Sequence, residues 1–304
     1  MKWQGVLPAI TTPFDERLAV DHSFLSRHVR TLLDAGSTGI VALGSLGEGG
    51  CLSLDEKLAV LRTCVEAAAG RAPVVAGVAA MTTAEAVEIA RASETVGCRG
   101  LMVLPPYVYR GDALETREHF SSVISATKLS CLLYNNPIAY GTDVLPAAIL
   151  ELAAVHPNLH AVKESSTDVR RVTEIRALAS AQQRPLQLLV GVDDLIVEGI
   201  AAGATGWIAG LVNALPKESV ELFDHALAGR WDEARTIYEW FLPLLRLDTV
   251  PKFVQLIKLV QQEVGLGNER VRPPRLPLQG SERQAVLDLI RTALGALPGN
   301  RTRA

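Results

Sequence analysis

Eight short apolar runs recur along the chain, and each is followed by a longer segment with the periodicity of an amphipathic helix. The runs start about 25–30 residues apart, which leaves room for one strand, one helix and two short loops. This alternation predicts an α/β protein with a parallel sheet, and eight repeats are the count of a (β/α)8 TIM barrel. The predicted strands are Gly5–Ile10, Gly39–Leu43, Pro73–Val78, Gly100–Leu104, Ser130–Tyr134, His160–Lys163, Gln187–Gly191 and Gly206–Ile208.

The segments between these strands carry the signals of helix ends. Ser53 and Thr82 precede helical runs and can accept hydrogen bonds from first-turn amides, whereas Gly36 and Gly97 fall just past the last periodic residue. An open, doubly wound sheet is the competing architecture, but no glycine-rich GxGxxG turn follows the first strand. The predicted helices are 22–35, 54–69, 83–96, 113–126, 144–154, 168–180, 193–202 and 215–228.

The strand signals stop near residue 229, which predicts two domains. Residues 1–229 form the barrel with the active site, and residues 230–304 form a C-terminal helical domain. The expected helices of this second domain are 231–245, 250–264 and 282–296, interrupted by a loop rich in proline and arginine at 271–277. The tail, residues 297–304, is expected to be frayed.

Composition argues against several classes of partner. The chain has 304 residues, 48% of them hydrophobic, and a formal net charge of −3. It can enclose a site but has no electrostatic reason to bind nucleic acid or a membrane surface. No apolar run reaches the ~18 residues of a membrane span, and we expect a cytoplasmic protein without a signal peptide. The histidines and the four cysteines lack metal-ligand spacing, so we expect no metal and buried free thiols.

Lys163 ends the sixth predicted strand, and catalytic residues of such barrels lie at the C-terminal ends of strands. Burial there disfavours the ammonium form and favours the neutral amine, which attacks carbonyl carbon. The alternative is a structural ion pair with Glu164 or Glu48. Position alone leaves both interpretations open.

A tight turn follows the second predicted strand, with the sequence Gly44-Ser45-Leu46-Gly47-Glu48. Its backbone amides and the Ser45 hydroxyl can bind a carboxylate or another small oxyanion, although a turn that simply needs two glycines explains the sequence equally well. The pattern does not match the phosphate-binding GxxxxGK[ST] motif, so nucleotide binding is not expected.

Two tyrosines, Tyr107 and Tyr134, stand at the ends of the fourth and fifth predicted strands. Together with Ser45 they can pass protons to and from a bound substrate if each phenol has a hydrogen-bonded neighbour. Packing at the rim of the barrel, with the hydroxyl in water, is the alternative for either residue.

Four blocks occur in one order along the chain: Gly44-x-x-Gly47-Glu48, Tyr134-Asn135-x-Pro137, Val162-Lys163-Glu164-Ser165-Ser166 and Gly191-x-Asp193-Asp194. Their order and spacing resemble those of the dihydrodipicolinate synthase / N-acetylneuraminate lyase family, as does the helical C-terminal addition. The resemblance runs from about residue 4 to about residue 296. It implies a class I lyase that acts on a small 2-oxo or 2-imino acid without a cofactor.

The resemblance also implies catalytic roles for individual residues. Lys163 forms the Schiff base, and Tyr134 is the acid/base beside it. Ser45 connects Tyr134 to Tyr107 in a proton relay. In the family, the tyrosine that matches Tyr107 usually comes from a neighbouring subunit, which implies a dimer or a tetramer of this chain.

Substrate binding is implied at four further positions. The turn that contains Leu46 and Gly47 holds the substrate carboxylate through Ser45 and the amide of Leu46. Gly191 and Ile208 supply backbone carbonyls near the Schiff base.

Two positions depart from the lysine-pathway synthase of this family. Ala139 stands where the synthase has an arginine that binds the carboxylate of the second substrate, and Leu46 stands where it has a threonine. Other segments, including Trp207–Ala214 and Arg272–Leu276, are similar to the hydroxyproline-degradation branch. The leading hypothesis is therefore a 1-pyrroline-4-hydroxy-2-carboxylate deaminase.

Several rivals share the same lysine chemistry. They are a 2-keto-3-deoxy sugar acid dehydratase, a 4-hydroxy-2-oxoglutarate aldolase and the 4-hydroxy-tetrahydrodipicolinate (dihydrodipicolinate) synthase itself. A catalytically silent 2-oxo acid binding protein is a rival from another class, but a pure binder needs no aligned nucleophile and proton relay.

Overall fold

The computed structural model describes residues 1–296 of the chain, so the predicted frayed tail lies outside the described residues. Strands and helices alternate through the first three quarters of it, as the spacing predicts. The strands are β1 Gly5–Pro8, β2 Ile40–Ala42, β3 Val74–Val78, β4 Gly100–Val103, β5 Ser130–Asn135, β6 Leu159–Glu164, β7 Gln187–Val190 and β8 Gly206–Ala209. The helices are α1 His22–Asp34, α2 Leu54–Ala68, α3 Thr83–Val96, α4 Ala113–Ser125, α5 Pro137–Tyr140, α6 Pro146–Val155, α7 Arg170–Ala181, α8 Ile196–Ala201, α9 Pro216–Leu227, α10 Trp231–Leu245, α11 Phe253–Glu263 and α12 Gly280–Gly295.

The eight strands form one parallel sheet in the order β1-β8-β7-β6-β5-β4-β3-β2. Gly5 of β1 pairs with Gly206 of β8, and a parallel bridge between Ala9 and Val41 brings the other edge of β1 to β2. The sheet therefore closes on itself, and the (β/α)8 barrel prediction is confirmed. Nearly all strand residues are buried because side chains fill the barrel on one face and helices cover the other.

The N-cap residues predicted for α2 and α3 are confirmed. Ser53 accepts from the amide of Glu56, whose side chain accepts in return from the Ser53 amide, and Thr82 caps α3. The single helix predicted at 193–202 is wrong in its first turn. Asp193–Leu195 is a 3₁₀ helix ahead of α8, and the Asp193 side chain turns inward to accept hydrogen bonds from the backbone that follows β8.

The C-terminal helices are joined to the barrel through a buried ion pair. Nζ of Lys258 on α11 lies 2.5 Å from Oε1 of Glu48, and both side chains are at most 2% exposed. The same ammonium donates to the backbone carbonyls of Thr12 and Arg270. The second carboxylate oxygen of Glu48 accepts from the amide of Arg272. The division at 229/230 stays a prediction, but this contact shows that the helices after it support the second βα loop.

All four cysteines are free. Cys64, Cys98 and Cys131 are buried, as expected, whereas Cys51, at the end of the 3₁₀ helix Gly49–Cys51 before α2, is half-buried. None of the helices within residues 1–296 is both long enough and apolar enough to cross a membrane.

Replacing Lys258 with methionine leaves Glu48 as an uncompensated buried carboxylate. We expect the free energy of unfolding to fall by about 3–5 kcal/mol, measured by urea denaturation. The double variant Glu48→Gln, Lys258→Met should recover part of that loss because it buries neither charge.

Lys252→Met is the matched control. Lys252 pairs with Glu282 at 2.7 Å, but both side chains are about half exposed, so the loss should stay below about 1 kcal/mol. If Lys258→Met and Lys252→Met lower the free energy of unfolding equally, the buried pair contributes no more to stability than the exposed one.

Candidate active site

Lys163 and Tyr134 are neighbours across two strands at the C-terminal end of the barrel. β5 and β6 pair in parallel with Tyr134 opposite Lys163, so both side chains point to the same face of the sheet. Nζ of Lys163 lies 4.1 Å from the centre of the Tyr134 ring. Lys163 is only 6% exposed and Tyr134 only 5%. The amine is therefore enclosed and faces an aromatic hydroxyl-bearing ring.

The alternative of a structural ion pair for Lys163 is wrong. Glu48 pairs with Lys258, as described above. The carboxylate of Glu164 accepts from the side chain of Asn135 at 3.2 Å and from the amide of Ser166 at 2.7 Å. Within residues 1–296, no carboxylate lies within ion-pair distance of the Lys163 amine.

The Lys163 side chain runs across the backbone of Gly191, directly after β7. A Cβ atom at position 191 would lie 2.9 Å from Cγ of Lys163 and would overlap both its Cε and the Ser165 hydroxyl. Only glycine leaves this path open. The Ser165 hydroxyl is buried and has no hydrogen-bond partner among the described residues, so it is free to meet a bound molecule.

The turn after β2 presents two unused amides. Within the described part of the chain, the backbone N–H groups of Ser45 and Leu46 donate no hydrogen bond, while the Ser45 carbonyl accepts from Glu48. Leu46 is buried. Buried amides without acceptors are rare, so this turn suits the carboxylate predicted from the sequence.

Tyr140, at the end of the helix that follows β5, belongs to the mouth of the barrel, which is the open end at the C-termini of the strands. The sequence patterns did not predict this residue. Its hydroxyl forms a short hydrogen bond with that of Ser45. Its ring centre lies 5.8 Å from that of Tyr134 and 5.8 Å from that of Tyr107. The signal lay in the sequence Asn136-Pro137, because the Asn136 side chain caps the short helix α5 that ends at Tyr140.

The phenols are poor acids in this setting. Burial raises the pKa of Tyr107, which the nearby Ser45 hydroxyl opposes. Burial also raises the pKa of Tyr140 well above its usual value, and the neighbouring Tyr134 and Tyr107 raise it further. The hydroxyls of Tyr107 and Tyr140 therefore stay protonated near neutral pH and can donate to an oxygen atom.

The structure thus brings the predicted residues into two connected groups. Lys163, Tyr134 and Gly191 form the first, and Ser45 forms the second with Tyr107. The rings of Tyr134 and Tyr140 connect them. The family pattern places Tyr107 in a neighbouring subunit, but here it already lies beside Tyr140 of its own chain.

Three further residues near the ends of β7 and β8 concern this centre: Gly191 and Ile208, predicted to supply backbone carbonyls, and the acidic Asp193. Ile208 is buried within β8, opposite Leu7 of β1, and its role stays a prediction, as does that of the Gly191 carbonyl. The Asp193 carboxylate accepts from the Trp207 indole and from the Leu211 amide. Burial raises the pKa of Asp193 to about 6, although these hydrogen bonds and the charge of Lys163 oppose the shift.

Comparison with known proteins gives one consistent answer. The model of the dihydrodipicolinate synthetase family matches residues 2–293. A 4-hydroxy-tetrahydrodipicolinate synthase of Methanocaldococcus jannaschii is 33% identical over 80% of this chain and 82% of its own length. The synthase of Caldicellulosiruptor bescii is 32% identical over 91% of this chain and 90% of its own. The crystal structure of dihydrodipicolinate synthase from Aquifex aeolicus superposes with a TM-score of 0.89, at 27% identity, over 98% of this chain and all of that one.

Gly191→Ala should displace the lysine side chain without disturbing the fold. We expect borohydride trapping of pyruvate on Lys163, followed by intact mass, to fall by about 100-fold, because a shift of about 1 Å in a reacting group has that effect. Gly295→Ala is the control, since nothing lies within 4 Å of a Cβ atom there. Wild-type trapping in Gly191→Ala would contradict the described path of the side chain.

Proposed function

The chain belongs to the dihydrodipicolinate synthetase family and is a Schiff-base lyase, and from this premise we propose that Lys163 attacks C2 of a small 2-oxo acid. One observation carries the proposal. Lys163 is buried against Tyr134 with no carboxylate partner among the described residues, at the end of the barrel where catalytic residues lie. A structural lysine in such a place would be paired.

The covalent step needs only groups of this chain. The Lys163 nitrogen bonds to C2, the carbonyl oxygen leaves as water, and an iminium remains. The iminium draws electrons from the C3–H bond, so loss of that proton gives an enamine whose C3 attacks an aldehyde carbon. Tyr134 is the proton donor and acceptor next to the amine. The hydroxyls of Ser45 and Tyr140 continue the path toward the mouth.

Carboxylate binding follows from the turn after β2. The free amides of Ser45 and Leu46 match the carboxylate of a 2-oxo acid. The anion would lie close to Tyr140, because its hydroxyl is already bonded to Ser45. This orients C2 toward Lys163.

Among possible second reactants, we rank aspartate semialdehyde first, which makes the protein a 4-hydroxy-tetrahydrodipicolinate synthase. The two synthases named above bear that name, and this chain covers 82% and 90% of their lengths. Ala139 has no guanidinium to bind the carboxylate of aspartate semialdehyde. Arg110 can supply one instead. Its Nη2 lies 2.9 Å from where a Cβ atom of Gly141 would be, next to Tyr140.

The deaminase that leads on sequence grounds becomes the second candidate. In that reaction Lys163 attacks C2 of 1-pyrroline-4-hydroxy-2-carboxylate, the 4-hydroxyl is eliminated, and water releases ammonia and a 2-oxo-semialdehyde. A cyclic imine with one carboxylate needs no second anion site, which suits the exposed Ala139 and the buried Leu46.

A trapping experiment tests whether Lys163 is the nucleophile. Two activity assays then test whether the protein is a synthase or a deaminase. Borohydride with pyruvate should add one reduced pyruvate to the wild-type chain, mapped to Lys163, and none to Lys163→Met. Exposed Lys217→Met is the control and should trap normally. An adduct at another lysine would refute the assignment.

The rate of condensation of pyruvate with aspartate semialdehyde should exceed the rate of ammonia release from the hydroxylated pyrroline. If ammonia release is faster, the protein is the deaminase.

Tyr140→Phe tests the proton path within one chain. The ring stays in place, the hydroxyl bonded to Ser45 is lost, and kcat should fall by about 100-fold with little change in KM. Tyr109→Phe is the control, because within residues 1–296 its hydroxyl bonds only to the exposed Glu115. If Tyr107→Phe loses activity while Tyr140→Phe keeps it, the path runs through Tyr107 and not through Tyr140.

A further inference from the structure

The C-terminal helices place a short segment over the mouth of the barrel. The 3₁₀ helix Arg246–Asp248 follows α10 and lies against the 3₁₀ helix Asp193–Leu195 after β7. Nε of Arg246 is 3.6 Å from Oδ2 of Asp194. The hydroxyl of Tyr238 on α10 donates to the Asp194 backbone carbonyl. These contacts fix the segment at the end of the barrel that carries the nucleophile.

The carboxylate of Asp248 lies against Gly210, directly after β8. A Cβ atom at position 210 would be 2.7 Å from Cγ of Asp248 and 3.1 Å from its Oδ2. Any larger residue there would displace the carboxylate. The Gly210 amide does not bind Asp248, since it donates to Asp193 at 3.1 Å.

Asp248 has no donor of its own. No N–H, hydroxyl or cationic side chain within residues 1–296 donates to its carboxylate, whereas Asp193 accepts from Trp207 and from two backbone amides. Burial raises the pKa of Asp248 well above its usual value, and the charge of Asp193 adds to this, while the charge of Lys163 opposes it. Asp248 therefore lies close enough to the nucleophile to feel its charge.

Most polar groups that are largely removed from water are hydrogen-bonded, and Asp248 has no such partner within residues 1–296. Asp248 keeps part of its surface accessible, so a bound molecule can reach it. A perturbed carboxylate in a cleft beside a nucleophile is typical of a residue that contacts substrate.

Building on the proposed attachment of substrate to Lys163, we infer that Asp248 binds the substrate and accepts a hydrogen bond from a hydroxyl or ammonium group beyond C2. A carboxylate of the substrate at the same place would be repelled. The inference fits both candidate reactions, because aspartate semialdehyde carries an ammonium group and the pyrroline carries a hydroxyl. Asp248 is then a specificity-determining residue supplied from outside the barrel.

The test compares 2-oxo acids that differ by one hydroxyl. The matched pairs are 2-oxobutyrate with 4-hydroxy-2-oxobutyrate, and 2-oxovalerate with 5-hydroxy-2-oxovalerate. For each acid, the concentration that gives half-maximal borohydride-trapped adduct is measured by intact mass. In the wild type, at least one hydroxylated acid should need about tenfold less than its partner, as expected for one added hydrogen bond to the protein.

Asp248→Ala should bring that ratio close to one, whatever its effect on the absolute amount of trapped adduct. Its thermal midpoint should not fall, because no hydrogen bond is lost. Asp232→Ala, on an exposed part of α10, should keep the preference. No preference in the wild type, or a preference that survives Asp248→Ala, would overturn the inference. Failure of the wild type to trap pyruvate at all would instead overturn the Schiff base on Lys163.

Discussion

The buried ion pair between Glu48 and Lys258 is the contact on which the rest of the site depends. Glu48 closes the turn that carries Ser45 and Leu46, and its backbone has a left-handed conformation with φ of 52°. Such a conformation is unfavourable for a side-chain-bearing residue unless the surroundings hold it. Lys258 and the Arg272 amide hold it from the C-terminal helices. The conformation of this turn therefore depends on both parts of the chain.

The same arrangement explains why the nucleophile can be left unpaired. The carboxylates nearest in sequence to the reacting groups are each engaged elsewhere, Glu48 by Lys258 and Glu164 by Asn135 and Ser166. With those acids occupied, the amine of Lys163 faces a phenol and a glycine backbone. Lys163 is thus left without an ion-pair partner among residues 1–296, because the two nearest glutamates in these blocks are bonded to other groups.

The sequence predicted the strands and the place of Lys163 and Tyr134 at the ends of two of them because both follow from local patterns. Apolar runs with a fixed repeat locate β1–β8, and a lysine at the end of a buried strand is conspicuous. The partner of Glu48 could not be predicted, since Lys258 lies 210 positions away and is one of two lysines in the C-terminal helical region. Tyr140 was missed because its helix has only four residues, too short to show a period. Asp248 was missed because its position depends on how α10 packs on the 3₁₀ helix after β7.

The close contact between Gly210 and Asp248 has a consequence for how such enzymes change. One residue belongs to the barrel and the other to the helices, yet neither position can vary without regard to the other. On the inference that Asp248 contacts substrate, the C-terminal helices supply part of the pocket wall, so recognition can change while the strands and Lys163 stay the same. We then expect chimeras that exchange these helices between family members to take the reaction from one parent and the choice of substrate from the other.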